Sequence, residues 1–215
     1  MIVFYDLDGT LIDSKCEIVA TLNESLRRCR IPLNDKTSEF KIGPHLVDLI
    51  PAAFPKGYFT KEKLEEVIAV YRSIYNFSDH KMTHPYKGID EMIIHAPYKQ
   101  YLLTNKPMGP ASKILANFNW LSHFEAIWPS DSSTGETKIT LLEKAKNLFK
   151  ESIIMVGDTS PDILAAKTNG VYSIGVLYGE GKKEELVSAG ANLLVSTPFE
   201  LRERLMELWK EENRN

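Results

Sequence analysis

The chain has 215 residues, enough for one domain or for one domain carrying a smaller insertion. Its 26 basic and 29 acidic side chains leave a formal charge of −3, with no basic excess to neutralise a phosphate backbone, which excludes general nucleic-acid binding. Apolar residues at 43% and charged residues at 26% describe a globular chain rather than a disordered one. No apolar run approaches the roughly 18 residues of a membrane span. The run Met1 to Tyr5 is stopped by Asp6 and Asp8 before it could serve as a signal-peptide core, so no membrane partner is expected and the expected compartment is the cytoplasm. Cys16 and Cys29 lack CxxC spacing and read as buried free thiols.

Ile2 to Tyr5 is an apolar, β-branched and aromatic run that ends abruptly in Asp6-Leu7-Asp8-Gly9-Thr10, the pattern of a buried strand entering a tight loop. Positions 7 to 98 then separate this strand from the next, far beyond the dozen or so residues of an ordinary crossover. Within that stretch Ile18, Val19, Leu22, Leu26 and Cys29 recur at helical spacing until Pro32. Leu64, Val67, Ile68, Tyr71, Ile74 and Tyr75 do so again after a candidate N-cap at Thr60. No strand is predicted between Lys15 and Tyr86, so a small helical unit is expected over 15–85, inserted into a core formed by 1–14 and 86–215.

Further strands are predicted at Gln100 to Leu103, Phe124 to Trp128, Ile153 to Val156, Tyr172 to Leu177 and Leu193 to Val195. Helices are predicted at Ala111 to Phe118, Ile139 to Phe149, Asp162 to Lys167 and Lys183 to Ser188, and around Leu201, Leu205, Leu208 and Trp209. Strands alternating with helices define an α/β fold, a Rossmann-like, mainly parallel sheet flanked by helices.

Such sheets bind ligands at the carboxyl ends of their strands. The first strand brings Asp6 and Asp8 there, the second Thr104, Asn105 and Lys106, and the fourth Gly157, Asp158, Thr159 and Asp162; Lys138 opens the preceding helix. Each group has a purely structural counterpart: a polar strand end at Asp6 to Gly9, a turn at Thr104 to Pro107, a helix cap at Asp158 to Pro161 and a surface lysine at 138. Their joint occurrence after successive strands favours a site. Four carboxylates in one crevice repel, and the group must either raise some of its pKa values or recruit a cation; Mg2+ is the economical solution, since it suits oxygen ligands completed by water and a phosphate. A carboxylate can attack phosphorus to give an aspartyl-phosphate, and a second carboxyl two residues on can protonate the leaving oxygen and then deprotonate water.

Asp6-Leu-Asp-Gly-Thr-Leu-Ile-Asp-Ser14, Leu103-Thr104-Asn105-Lys106-Pro107, Lys138 and Gly157-Asp158-Thr159-Ser160-Pro161-Asp162 together resemble the four motifs of the haloacid dehalogenase superfamily, in its phosphoglycolate phosphatase-like branch with a helical cap. The resemblance implies Asp6 as nucleophile and Asp8 as general acid and base. It implies Thr104, Asn105 and Lys138 on the phosphoryl oxygens, Mg2+ held by Asp6, Asp158 and the Asp8 carbonyl, and Asp162 in support. It identifies 15–85 as the cap, with Lys41 to Leu46 as its site-facing loop, Gly43 as a phosphate contact, and His84 to Gly88 as the return hinge. The implied substrate is a small phosphorylated metabolite, with 2-phosphoglycolate the leading choice. A phosphomutase on the same scaffold and a non-catalytic phospho-acceptor are the alternatives, and monomer and homodimer both stand. The chain departs from the family pattern at Lys87, Ile139 and Asn169, none of which removes a catalytic group.

Overall fold

The computed structural model describes residues 1–38, 40, 42–131 and 134–214. The chain divides into two compact units, Met1–Asp13 with Pro85–Asn215 and, between them, Ser14–His84. Each join falls one residue earlier than the sequence suggests.

The chain opens with β1 (Ile2–Tyr5) and β2 (Ile12–Asp13) and continues through α1 (Lys15–Arg28), α2 (Leu46–Ala52) and α3 (Lys61–Tyr75) to β3 (His84–Pro85). There follow α4 (Ile89–Ile94), β4 (Lys99–Thr104), α5 (Met108–Asn117), β5 (Ala126–Pro129), α6 (Lys138–Leu148) and β6 (Ile153–Gly157). The last elements are α7 (Ser160–Thr168), β7 (Tyr172–Val176), α8 (Lys183–Ala189), β8 (Leu193–Val195) and α9 (Pro198–Glu212). The expectation of no strand between Lys15 and Tyr86 is corrected by β3, which is two residues long and so has no alternation for a sequence pattern to show. The short α2 also escapes the pattern, because it carries Pro51, which lacks an N–H and penalises helix interiors.

Six strands form one parallel sheet in the order β5-β4-β1-β6-β7-β8. This is the Rossmann-like α/β fold that the sequence predicts. β1 lies at the point where the chain, having built outward to β4 and β5, returns to build β6, β7 and β8 on the other side. A crevice opens at the carboxyl ends of strands flanking such a switch point, and β1, β4 and β6 are those strands here.

The register places Tyr5 beside Leu102 and Val156. Successive residues of a strand face opposite sides, and β1 is buried on both. Val3 and Tyr5 join a core with Ile89, Met92, Ala111, Ile114, Leu201 and Leu205 of α4, α5 and α9. Ile2 and Phe4 join another with Leu141, Leu142, Ala145, Ala165 and Ala166 of α6 and α7. Phe4 also stacks on Tyr101 at 4.9 Å and meets Trp128 edge-on at 5.4 Å. Full burial of side chains this size is worth roughly 1.5–3 kcal/mol each, so the strand that carries Asp6 is held firmly.

The second unit has its own core, in which Ile18, Leu22 and Leu26 of α1 pack with Val67, Ile68, Tyr71 and Tyr75 of α3 and with Leu49 and Ile50 of α2. Cys29 is buried in it, but Cys16 on α1 is exposed, which corrects the expectation that both thiols are buried. The Thr60 hydroxyl accepts from the Lys63 N–H at 3.2 Å, confirming the expected N-cap of α3. Glu17 is buried, and its carboxylate accepts from Ser78 Oγ at 2.5 Å and Thr83 Oγ1 at 2.9 Å, with His80 Nδ1 at 3.1 Å. Gly43, at φ +120°, lies in the loop before α2. Lys41, at the start of the proposed site-facing loop, is outside the described residues.

Candidate active site

Asp6 directly follows β1, and its N–H donates to Val156 O at 2.9 Å, extending the β1–β6 ladder by one rung. The chain then turns so that the Gly9 N–H meets Ile12 O at 2.9 Å. Gly9 sits at φ +81°, and a Cβ there would lie 2.2 Å from Asp158 Oδ2. Conformation and space therefore both require glycine at this turn.

Lys138 is the first residue of α6, whose N-terminus is fixed by a reciprocal cap between Thr137 and Thr140. Its buried ammonium stands 2.9 Å from Asp6 Oδ1 and 2.6 Å from Asp162 Oδ1. Asp162 is the third residue of α7, where Oδ2 accepts from the Thr159 N–H at 3.1 Å and its Oγ1 at 2.7 Å. Both oxygens of Asp162 thus have protein partners.

Asp158 follows β6 and is buried. Its Oδ1 accepts from Thr10 Oγ1 at 3.2 Å and its Oδ2 from the Glu180 N–H at 2.8 Å. The segment supplying that N–H passes so close that a Cβ on Gly179 would lie 2.5 Å from Asp158 Cβ. At the end of β4, the buried Thr104 accepts from the Lys106 N–H at 3.1 Å. The Asn105 carboxamide oxygen accepts from the Ser130 hydroxyl, which follows β5. Asp8 forms an ion pair with the buried Lys106, Nζ to Oδ1 at 3.2 Å.

Asp6, Asp158 and Asp162 each present an oxygen within 4.8 Å of the others, and the Lys138 ammonium touches two of the three. Burial pushes the Asp6 carboxyl well above the usual carboxylate range; Lys138 opposes this, while Asp162 and Asp158 reinforce it. Asp158 is pushed up to about 7 by burial and then by Asp162, against the Glu180 N–H. For Lys138, burial disfavours the charge, but Asp162 and then Asp6 outweigh it and raise the ammonium's pKa. A buried carboxylate cluster holding excess negative charge, with oxygen donors alone, has the chemistry of a hard-cation site.

The first-unit residues given a catalytic, binding or metal role from the sequence gather at the carboxyl ends of β1, β4 and β6: Asp6, Asp8, Thr104, Asn105, Lys138, Asp158 and Asp162. Gly43 belongs to the other unit. The sequence reading gave no role to Thr10, Ser130, the Glu180 N–H or the side chain of Lys106. Ser130 was within reach, since it follows a predicted strand, whereas a main-chain donor such as that of Glu180 leaves no side-chain signal. Two departures from the family pattern meet directly, because the Asn169 amide donates to Ile139 O at 2.9 Å.

Strand ends at a switch point that carry buried aspartates, a lysine and a threonine define a doubly wound α/β protein with a cation-attracting polar site. The chain belongs to the haloacid dehalogenase-like hydrolase family, whose model matches residues 3–176. It is 31% identical over 193 residues to a 5'-nucleotidase of Pseudomonas aeruginosa, covering 86% of each chain. It is 26% identical over 202 residues to a phosphoglycolate phosphatase of Vibrio cholerae, covering 87% of this chain and 89% of that one. A crystal structure described as a predicted phosphatase from Clostridium acetobutylicum superposes with a TM-score of 0.83 at 30% identity, covering 96% of this chain and 98% of that one. Among the described residues, no helix is long and apolar enough to cross a membrane.

Proposed function

We propose that the protein is a Mg2+-dependent phosphatase that hydrolyses a small phosphomonoester through an aspartyl-phosphate on Asp6, with 2-phosphoglycolate the leading substrate. The observation that carries this reading is the buried Asp6 at the end of β1, 2.9 Å from Lys138 Nζ and clustered with Asp158 and Asp162. Relatives named 5'-nucleotidase and phosphoglycolate phosphatase support the phosphatase class, and the second supports the substrate choice.

Asp6, Asp158 and the main-chain carbonyl of Asp8 would hold the metal, with Asp162 supporting Lys138 from behind. Bound there, Mg2+ supplies positive charge to the phosphoryl oxygens as charge develops on them. Thr104, Asn105 and Lys138 orient the phosphoryl group, and a carboxylate oxygen of Asp6 attacks phosphorus in line. Asp8 gives its proton to the leaving oxygen, then takes one from the water that attacks the aspartyl-phosphate. The inserted unit, with Gly43 in the loop before α2, would serve as the family's substrate-selecting cap. In this reading the partner is the small metabolite, and neither nucleic acid nor membrane takes part.

The test is phosphate release with and without Mg2+ across phosphoglycolate, sugar phosphates, nucleotides and a chromogenic ester, for the wild type and Asp6→Asn in parallel. One dominant ester, lost in the variant and with EDTA, is the expected result. An isomeric product without free phosphate would mark a mutase, and labelling without turnover would mark a phospho-acceptor.

A further inference from the structure

Both members of the Asp6–Asp8 pair meet a buried ammonium, and each meets a different one. Lys138 stands 2.9 Å from Asp6 Oδ1, and Lys106 stands 3.2 Å from Asp8 Oδ1. The side chain of Lys106 is 4% exposed and that of Asp8 14%. Taking an ammonium out of water costs several kcal/mol unless a well-placed counter-charge compensates, so a lysine here is an expensive way to fill space.

Local structure explains how it arrives. The Lys106 N–H donates to Thr104 Oγ1 at 3.1 Å, which turns the chain immediately after β4, and Pro107 caps α5. Because β4 pairs directly with β1, this turn carries the side chain across to the loop that bears Asp8. Lys106 thus joins the residue placed on the phosphoryl oxygens to the one placed on the leaving group.

We propose that Lys106 is a positioning residue for Asp8: by holding Oδ1 it presents Oδ2 to the leaving-group oxygen. This rests on the phosphatase reading above and deepens it. In the first half-reaction an Asp6 oxygen bonds to phosphorus, and the phosphorus–oxygen bond to the leaving group breaks with its electron pair on the departing oxygen. That oxygen takes the proton of Asp8, which is left as carboxylate. In the second half-reaction the water oxygen bonds to phosphorus, its proton returns to Asp8, and the bond to Asp6 breaks to release phosphate. A carboxyl whose orientation is unfixed loses the proton transfer more than the nucleophilic attack.

The consequence is selective for the leaving group. An alkyl alkoxide needs the proton, whereas 4-nitrophenolate departs without it. The experiment compares kcat/KM, which reports the first half-reaction, on the best alkyl ester of the panel and on 4-nitrophenyl phosphate, for wild type, Lys106→Met, Lys106→Arg, Asp8→Asn and the Lys106→Met/Asp8→Asn pair. We expect Lys106→Met to lose roughly a hundredfold on the alkyl ester and less than about threefold on the aryl ester. Lys106→Arg should recover most of the alkyl activity, and Lys106→Met should add nothing to Asp8→Asn. Equal loss on both esters, no loss on either, or a further loss on top of Asp8→Asn overturns the proposal. If the methionine variant does not fold, Lys106→Gln carries the same comparison. A wild type that hydrolyses neither ester overturns the phosphatase reading itself, an outcome distinct from the equal losses that would dismiss Lys106 alone.

Discussion

Gly9 and Asp158 lie so close that a methyl group on Gly9 would stand 2.2 Å from Asp158 Oδ2. The turn after the first strand and the carboxylate after β6 are therefore fitted to one another, and the short side of that fit is the missing Cβ.

Gly9→Ala should accordingly fail twice. At φ +81° an alanine is strained by about 1 kcal/mol or more, and its methyl displaces the Asp158 carboxylate. A lowered denaturation midpoint together with at least a tenfold loss of phosphate release is expected, read by urea melts and a phosphate assay. Wild-type turnover in a folded alanine variant would show that Asp158 need not hold this position.

Asp158→Asn separates metal binding from folding. Asparagine is nearly the same size, keeps an oxygen acceptor for the Glu180 N–H that now binds Oδ2 at 2.8 Å, and removes one charge of the cluster. Ligand binding to the folded state at about 100 times Kd stabilises it by about 2.7 kcal/mol, so Mg2+ should raise the melting temperature of the wild type. The variant should fold and show no such shift. An equal Mg2+ response in both proteins would remove Asp158 from the metal site.

In the second unit, Glu17 of α1 ties the return segment through Ser78, Thr83 and His80. Glu17→Ala removes the carboxylate that the buried Thr83 hydroxyl donates to, at roughly 1–3 kcal/mol for a buried group left unsatisfied, and takes the same acceptor from the half-buried Ser78 and from His80. Hydrogen exchange should accelerate across 15–83 while amides of β1, β4 and β6 keep their protection. Uniform acceleration in both units would show instead that they unfold as one.

The parallel sheet and the carboxylates at its edge were legible in the sequence because both rest on local signals. Ile2 to Tyr5 is an unbroken apolar run, and Asp6, Asp8, Asp158 and Asp162 follow strands at fixed offsets. What escaped depends on tertiary approach. Nothing in the spelling of Lys106 says that it crosses from β4 to Asp8. The contribution of Glu180 is a main-chain N–H, whose only trace is Gly179 beside it, needed for the close passage by Asp158. Two-residue strands such as β3 carry no periodicity, and α2 is hidden by its own proline.

Alkaline stability offers a test of the core itself. Tyr5 and Tyr98 meet hydroxyl to hydroxyl at 3.3 Å; burial pushes the Tyr98 phenol up to about 12 and raises that of Tyr5 as well. An unfolded tyrosine titrates near about 10. A folded pKa above the unfolded one means that the stabilisation is complete below about 10 and is lost as pH rises toward about 12, because the unfolded chain releases its proton first. Tyr98→Phe should be less stable than wild type at pH 8 by about 1 kcal/mol, the worth of one hydrogen bond. It should then lose less on going to pH 11, so that the gap in melting temperature closes or reverses. A gap that stays constant across that range would show that Tyr98 ionises as readily in the folded protein as in the unfolded chain.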